Sequence, residues 1–231
     1  MKIISYDSKF GRIMQHIAES CMLNGMWFIC CIPIFTVGAA TTALYTVTIA
    51  IAEQREGDIF QQFVRAFKSN FKQATILWLI LLTIGILLGT DIYILLHLRA
   101  ATEGAVAVFW TLLLAMVIAA CIVYAIELTF VFPLVARVEN TNRAMLVNSL
   151  LVGTHYLNCF LAVFGIHFAM AFIAIRIFTP ILILGEGLCA LLSSYLFSPV
   201  IRAVTKKPED ADDRQGSSAT LEDATEDEED E

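Results

Sequence analysis

Three carboxylic acids lie inside otherwise apolar segments of this chain, and they are its main candidates for chemically functional residues. Asp91, Glu127 and Glu186 each interrupt a run of apolar residues long enough to cross a lipid bilayer. Ionisable side chains are costly inside a membrane, where they mark solute pathways, proton relays or buried pairs. Glu186 is the sharpest candidate, because the flanking Gly185 and Gly187 permit close helix approach or a local break.

A purely structural role is the alternative for Glu127 and Glu186. Either acid can be buried in protonated or paired form, and neutral burial needs no function. Asp91 lies shortly before Arg99, near the end of its apolar segment, where a partly hydrated carboxylate costs less. The three acids together form the predicted intramembrane polar site. The side chains that can pair with Glu127 or Glu186 are His155, His167 and Asn158.

The composition places these acids in an all-helical integral membrane protein. Of the 231 residues, 58% are hydrophobic and 16% are charged, and the mean hydropathy is +0.73. Residues 73–98 and 105–136 form apolar runs of 26 and 32 residues, whereas about 20 residues of helix span a bilayer. The chain contains no Walker loop, nucleophile elbow or paired-carboxylate motif. We therefore predict no enzymatic activity, with a membrane-embedded enzyme as the alternative.

The number of spans follows from helix breakers and charge. Residues 14–52 are too long for one apolar helix, and Pro33 with Gly38 favours a turn between two helices. With both termini in the cytoplasm, 13 cations lie inside and two outside, which agrees with the enrichment of Lys and Arg in short cytoplasmic segments. The six predicted spans are about residues 13–32, 39–52, 73–98, 105–136, 156–175 and 177–201.

A cleaved signal peptide is the alternative interpretation of the N-terminus. Its apolar core would be residues 26–35, and its cleavage site would be the small residues 38–40. Charge argues against cleavage, because too few apolar residues would then remain before Glu53 to span the membrane. The basic segment that follows would also lie outside.

Two segments between spans are predicted to be amphipathic helices at the cytoplasmic surface, residues 58–72 and, more weakly, residues 142–154. In the first helix, phenylalanines would enter the lipid and cations would face anionic head groups. The alternative is that this face docks into a partner protein. The residues of this candidate interfacial or partner surface are Phe60, Phe63, Phe67, Phe71, Arg65, Lys68 and Lys72.

The two hairpins of spans resemble one unit used twice. Each unit has a surface helix, a span outward, a short turn and a span back that carries a proline followed by a cation. The pairs are Pro133 with Arg137 and Pro199 with Arg202. Parallel repeats of this kind occur in transporters, and independent use of the same hairpin design explains the similarity equally well.

The remaining polar and sulfur-bearing residues favour no cofactor. The predicted second helix has a threonine-rich side, with Tyr45, that can line a cavity or hydrogen-bond back to its own carbonyl groups, and we favour the second. Six cysteines lie in apolar stretches without a C-x-x-C pair or a neighbouring His at ligand spacing, so we expect no metal site. Residues 208–231 hold 12 acidic residues and one Arg, which predicts a disordered tail after a transmembrane domain of residues 1–207.

The segment 32–45 reads I-P-I-F-T-V-G-A-A-T-T-A-L-Y, and residues 57–74 and 132–137 fit the same family pattern. Over about residues 10–202, the chain resembles the YesL family of bacterial membrane proteins. The resemblance implies a domain of unknown function in a bacterial cell membrane, often encoded beside carbohydrate importers and sugar-degrading enzymes. It supplies no catalytic residues.

Two functions follow as hypotheses. The leading one is an accessory or regulatory partner in carbohydrate uptake, which contacts importer subunits through the phenylalanine-rich helix. The second is a small transporter with its site between the helical hairpins. A polar cavity open to one side favours transport, whereas a solid bundle with an exposed phenylalanine face favours the partner role. The expected surroundings are the lipid bilayer, with no nucleic acid as a partner.

Overall fold

The computed structural model describes residues 9–55, 57–176 and 181–205, and these ranges contain helices and turns but no strand. The predicted disordered tail, residues 208–231, lies outside the described residues. A short 3-10 turn, Ile34–Thr36, separates the first two helices. The helices are α1 (Lys9–Cys31), α2 (Val37–Ala52), α3 (Ile59–Ala100), α4 (Gly104–Val135), α5 (Asn142–His155), α6 (Leu157–Arg176) and α7 (Ile181–Thr205).

The described helices include five segments that are long and apolar enough to cross a membrane: residues 34–52, 59–100, 104–135, 157–176 and 185–205. The chain is therefore a multi-pass membrane protein. The predicted first span coincides with α1, which is not among these five. Its N-terminal half carries Gln15, His16 and Glu19, and these side chains lower its hydropathy.

The predicted break between the first two helices is confirmed. Helix α1 ends at Cys31, Pro33 is extended with φ −78° and ψ 116°, and α2 begins at Val37. The hydroxyl oxygen of Thr36 lies 2.6 Å from the carbonyl oxygens of both Cys30 and Pro33, and the Pro33 carbonyl also accepts from the Thr36 backbone amide. The single hydroxyl proton is therefore available to the Cys30 carbonyl at the end of α1.

The predicted boundary between a surface helix at residues 58–72 and a span at residues 73–98 needs correction. Both segments belong to one continuous helix, α3, which has 42 residues and is about 63 Å long at 1.5 Å per residue. Its N-cap is Asp58, whose side chain accepts a hydrogen bond from the Gln61 backbone amide. No glycine or proline interrupts residues 59–84, so the amphipathic turns continue into the apolar part without a helix break.

The second predicted surface segment does form a separate helix, α5, which ends at His155 before α6 begins at Leu157. Its hydroxyl N-cap, Thr141, accepts a hydrogen bond from the Ala144 amide. The two hairpin units therefore differ, because a helix boundary precedes α6 but not the apolar part of α3. The position of α5 at the membrane surface stays a prediction.

Helix α2 is the central helix of the bundle. It contacts α1, α3, α4 and α7, and 11 of its 16 residues are buried. Small residues permit this central position: a Cβ atom added to Gly38 would lie 2.5 Å from the Ala74 carbonyl oxygen and 2.5 Å from the Trp78 Cβ. Close backbone approach of this kind is how membrane helices gain packing energy. Helix α2 is therefore placed to present side chains to a space between the two hairpins.

Candidate functional site

A cavity of about 300 Å³ lies between the α3/α4 hairpin and the α6/α7 hairpin, against α2. Most of its wall is apolar, and a few polar groups converge on it, which is the usual composition of a small-molecule site. The lining residues lie inside the segments apolar enough to cross a membrane. They are Thr41, Tyr45, Trp78, Leu128, Thr129, Phe132, Val163, Phe164, His167 and Glu186.

The chemical centre of the cavity is the pair formed by His167 on α6 and Glu186 on α7. The Nε2 atom of His167 lies 3.7 Å from Oε1 of Glu186. The Nδ1 atom of His167 lies 2.9 Å from the Val163 carbonyl oxygen. A carbonyl oxygen only accepts hydrogen bonds, so Nδ1 carries a proton. Nε2 is then the ring atom that gains or loses a proton, and it faces the carboxyl group.

The glycines beside Glu186 act as the sequence predicts, through close helix approach. A Cβ atom on Gly187 would lie 2.4 Å from the Ser20 carbonyl oxygen, so only glycine permits this contact between α7 and α1. The Gly187 backbone amide also donates a 2.8 Å hydrogen bond to the Asn24 side chain. Contact with α1 thus fixes the backbone on which Glu186 stands. The carboxyl side chain remains 29% exposed.

The polar side of α2 serves both purposes considered from the sequence. Thr41 and Tyr45 line the cavity, and the Thr41 hydroxyl accepts a 3.1 Å hydrogen bond from the Trp27 indole. Thr46 and Thr48 instead donate to carbonyl groups four residues earlier, at 2.8 and 3.0 Å. The prediction that these side chains bond to carbonyl groups of their own helix is therefore confirmed for Thr46 and Thr48. It is wrong for Thr41 and Tyr45, which line the cavity.

Glu127 is buried, but it does not belong to the cavity. Its Oε1 atom lies 2.6 Å from the Ser149 hydroxyl on α5, and that hydroxyl also lies 2.8 Å from the Met145 carbonyl oxygen. The second carboxyl oxygen is buried with no hydrogen-bond partner among the described residues. Glu127 is 8% exposed and joins α4 to α5, which fits the structural alternative. Its partner is none of the three residues suggested by the sequence.

Asp91 is exposed on the second half of α3, outside the residues that line the cavity. The structure thus separates the three predicted acids instead of bringing them together. Glu186 alone of the three reaches the cavity, with His167 as its partner.

The phenylalanine stripe of α3 largely faces the protein, so the expectation of an exposed face needs correction. Phe63 is 1% exposed, and Phe67 and Phe71 pack as half-buried residues against the core. Their rings form a row, with centroid separations of 6.4 Å from Phe63 to Phe67 and 5.4 Å from Phe67 to Phe71. Phe60 remains 58% exposed. The cations of the same helix, Arg65, Lys68 and Lys72, are also exposed.

Metal binding has no support within the part of the chain that the structure describes, where no three His, Cys, Asp or Glu residues are grouped suitably. The cysteines differ in environment, since Cys189 is buried and Cys21 is exposed.

A second polar cluster, which the sequence did not reveal, lies where α2, α4 and α7 end. Glu53 directly follows α2. Its Oε2 atom contacts the Nη2 atom of Arg137, a residue that lies just after α4. Arg55 also reaches Oε2, at 2.6 Å. The other oxygen, Oε1, lies 3.5 Å from Arg202 and 3.3 Å from the Ser198 hydroxyl on α7. We call Glu53, Arg55, Arg137, Ser198 and Arg202 the Glu53 cluster.

The charges in the Glu53 cluster favour ionisation of its carboxyl group. Burial by itself raises the pKa of Glu53, but the charge of Arg137, assisted by Arg55 and by hydrogen bonds, holds the pKa below its ordinary value of 4.5. For Arg137, burial lowers the pKa, and repulsion from Arg55 and Arg202 lowers it further, against the attraction of Glu53. The carboxylate is thus the shared anion of three cations.

The sequence contained a clue to the Glu53 cluster. Arg137 and Arg202 are the cations that follow the prolines of the two hairpin units. From the sequence both indicate the cytoplasmic side of the membrane, and the structure brings both to Glu53.

Residues 21–92 match the sequence profile of a family described as "Protein of unknown function, DUF624". The matched range covers the second half of α1, all of α2 and most of α3, and it includes the cavity residues Thr41, Tyr45 and Trp78. The chain is therefore similar, over this range, to a domain of unknown function. The narrower resemblance to the YesL family stays a prediction. No curated protein and no solved structure matches the chain.

Proposed function

We propose that this protein is a small, non-catalytic membrane transporter that binds its solute in the cavity between the two hairpins. The observation that carries the proposal is the paired His167 and Glu186 in a cavity of about 300 Å³, within the segments apolar enough to cross a membrane. A cavity of this size accommodates a small solute. Its few polar groups would orient the solute, and its aromatic walls would cover the apolar part.

The His167–Glu186 pair would hold an exchangeable proton beside the solute. His167 keeps the proton on Nδ1 toward Val163, so exchange takes place between Nε2 and the carboxyl group. Acid and histidine pairs inside membranes are typical of proton relays. A solute that contacts Glu186 would compete with or release this proton. This is the simplest way for the pair to couple movement of the solute to movement of the proton.

The topology in this proposal has six spans, with both termini in the cytoplasm of a bacterial cell. The contacts of Glu53 support it, because they place the ends of α2, α4 and α7 on one side. Arginines concentrate at that side, as expected for the cytoplasmic face. Helix α1 has 23 residues, enough to be the sixth span, and its polar first half would lie near the surface.

An accessory role in carbohydrate uptake is the second proposal, and it rests on the family resemblance. The observation that favours it is that Phe60, Arg65 and Lys68 are all exposed on the first part of α3. A photocrosslinker at the Phe60 position, used in native membranes, would be expected to capture importer subunits. Repeated capture of lipid alone would exclude this contact.

The transporter proposal is tested by side-specific labelling of the Thr129→Cys variant, with the native cysteines changed to alanine. A small cationic methanethiosulfonate reagent should label this variant from one side of the membrane, because Thr129 lines the cavity near Glu186. We expect labelling about tenfold faster than with an anionic sulfonate reagent, since the carboxylate attracts cations. Labelling is followed by mass spectrometry in oriented vesicles.

The matched control is Thr83→Cys. Both threonines donate to the carbonyl group four residues earlier at 2.8 Å, but Thr83 is exposed on the outer face of α3 and should react slowly. A panel of amines, sugars and amino acids is then screened for protection of the Thr129→Cys variant. Equal and slow labelling of both variants from either side would show that the cavity is not open to water and would end the proposal.

A further inference from the structure

The Glu53 cluster carries more positive charge than its own carboxylate can balance. Three guanidinium groups surround one carboxylate, which leaves two positive charges in excess. The excess is accessible, because the side chains of Arg55 and Arg202 are 52% and 66% exposed, whereas Glu53 is 12% exposed. The buried side of the cluster is an ion pair, and its open side is cationic.

The exposed guanidinium groups also retain unused donors. Arg55 reaches Glu53 through Nη2, and Arg202 reaches it through Nε, so each uses a single nitrogen. A guanidinium group has five N–H donors in a planar fork that fits two oxygens of a carboxylate or a phosphate. Arg55 and Arg202 contact different oxygens of the same carboxylate, so an oxyanion can use the free donors of either group without displacing Glu53.

Space for such a ligand lies beside Arg55. A cavity of about 510 Å³ is formed there by α1, α2, the start of α3 and the connection between α2 and α3. Glu19 also lies on its wall, with Gln15 at 2.8 Å and His16 at 3.1 Å from its oxygens, so its charge offsets part of the attraction that Arg55 exerts on an anion. The cavity is bordered by amides as well as by Arg55, so it suits a phosphate with polar substituents. Its amide side chains are Gln15, Gln54 and Gln62.

The position of the cluster agrees with this chemistry. It lies where three apolar helices end, and phosphate groups of lipids lie at the edge of the hydrocarbon core. We propose that the Glu53 cluster binds a phosphate ester through the exposed guanidinium groups of Arg55 and Arg202, as a phospholipid head group or as a soluble phosphate. This binding is separate from the cavity at Glu186 and does not depend on transport.

The test uses the full-length protein and two kinds of probe. Thermal unfolding in detergent is measured with inorganic phosphate, with glycerol 1-phosphate and with sodium chloride at equal ionic strength. The same measurement is made in nanodiscs of phosphatidylglycerol or phosphatidylcholine. Saturable stabilisation by the soluble phosphates identifies a soluble ligand, and stabilisation by phosphatidylglycerol alone identifies a lipid head group. Either result supports the site.

The double variant Arg55→Gln, Arg202→Gln removes the open side of the cluster and keeps the pair of Glu53 with Arg137. We expect its affinity for the active probe to fall about tenfold or more, because the charged donors to the oxyanion are lost. The control, Arg143→Gln with Arg176→Gln, removes the same charge from two exposed arginines outside both the cluster and the candidate partner surface. It should retain the affinity of the wild type.

Two results would overturn the proposal. The first is that phosphate stabilises the wild-type protein no more than chloride does, and that the two lipids stabilise it equally. This result is decisive even if a variant fails to fold. The other is an equal loss in the cluster variant and the control, since that shows general charge attraction. The double change to lysine refines the result: it keeps the charge but not the fork, so we expect an intermediate affinity.

Discussion

We expect the Glu186→Gln variant to fold but to lose solute-dependent proton movement, down to the rate of protein-free vesicles. Glutamine keeps the size of Glu186 and can still bond to His167, but it cannot carry a proton. The measurement uses proteoliposomes that contain a pH-sensitive dye, with the solute that protects the Thr129→Cys variant from labelling. The initial rate of the pH change is compared between the variant and the wild type.

Asp91→Asn is the matched control for this experiment. It also removes one carboxylate from an apolar segment, but Asp91 is exposed and lies away from the residues that line the cavity. This variant should transport at the rate of the wild type. Proton movement that survives in Glu186→Gln, or an equal loss in both variants, would contradict the assignment of the proton to the cavity pair.

The His167→Gln variant separates two versions of the proton site. If the proton is shared between Nε2 and the carboxyl group, this variant loses proton movement as well. If Glu186 alone carries the proton, the variant retains it with a changed pH dependence. The 3.7 Å separation of the two side chains favours the shared version, because a small rotation brings them into hydrogen-bond distance.

Much of the helical arrangement could be predicted, because membrane helices depend on local sequence features. Apolar length marks the four long helices of the hairpins, and Pro33 with Gly38 marks the break before α2. The continuity of α3 was also readable, since no helix-breaking residue separates its polar start from its apolar part. The composition changes at Gln73, but the helix does not end there.

The environment of each helix face could not be predicted from one sequence. The row from Phe63 to Phe71 has the same spacing whether the face meets lipid or other helices. Both of these environments are apolar, so the residue types do not distinguish them. Glu127 shows the same limit. Successive residues point about 100° apart around a helix, so Glu127 faces α5 while Thr129 lines the cavity, and only the packing of the helices decides this.

The Glu53 cluster was hidden for a different reason, because its residues are distant in the sequence. Arg137 is 84 residues from Glu53, and Ser198 is 145 residues away. Around Glu53, the sequence shows only a charged connection between helices. Glu186 was easier to find, since a single acid between two glycines in an apolar helix is locally unusual.

Replacement of Glu53 by glutamine is expected to destabilise the protein by about 2 kcal/mol at pH 7. Removing one member of a fully buried ion pair costs about 3–5 kcal/mol, and partial exposure of this cluster reduces that cost. The loss arises because Arg137, whose side chain is 18% exposed, keeps its charge without a counterion. The free energy of unfolding is measured in detergent by steric trapping or by reversible denaturation, with the exposed Glu139→Gln as the control.

The effect should disappear in acid. Neighbouring arginines hold the pKa of Glu53 below 4.5 in the folded protein, so its contribution to stability is complete above pH 4.5. The contribution is lost as the pH falls through the lower, folded-state value. The stability curves of the wild type and Glu53→Gln should therefore converge there. A difference between them that stays constant from pH 7 to pH 3 would show that the carboxylate charge is not responsible.

The double variant Glu53→Gln, Arg137→Gln gives the final test of this explanation. If the cost of Glu53→Gln comes from the unpaired charge of Arg137, removal of that charge should restore part of the lost stability, because two neutral groups need no counterion. If the cost comes from lost hydrogen bonds alone, the second change adds a further loss. The sign of the change from the single to the double variant distinguishes these causes.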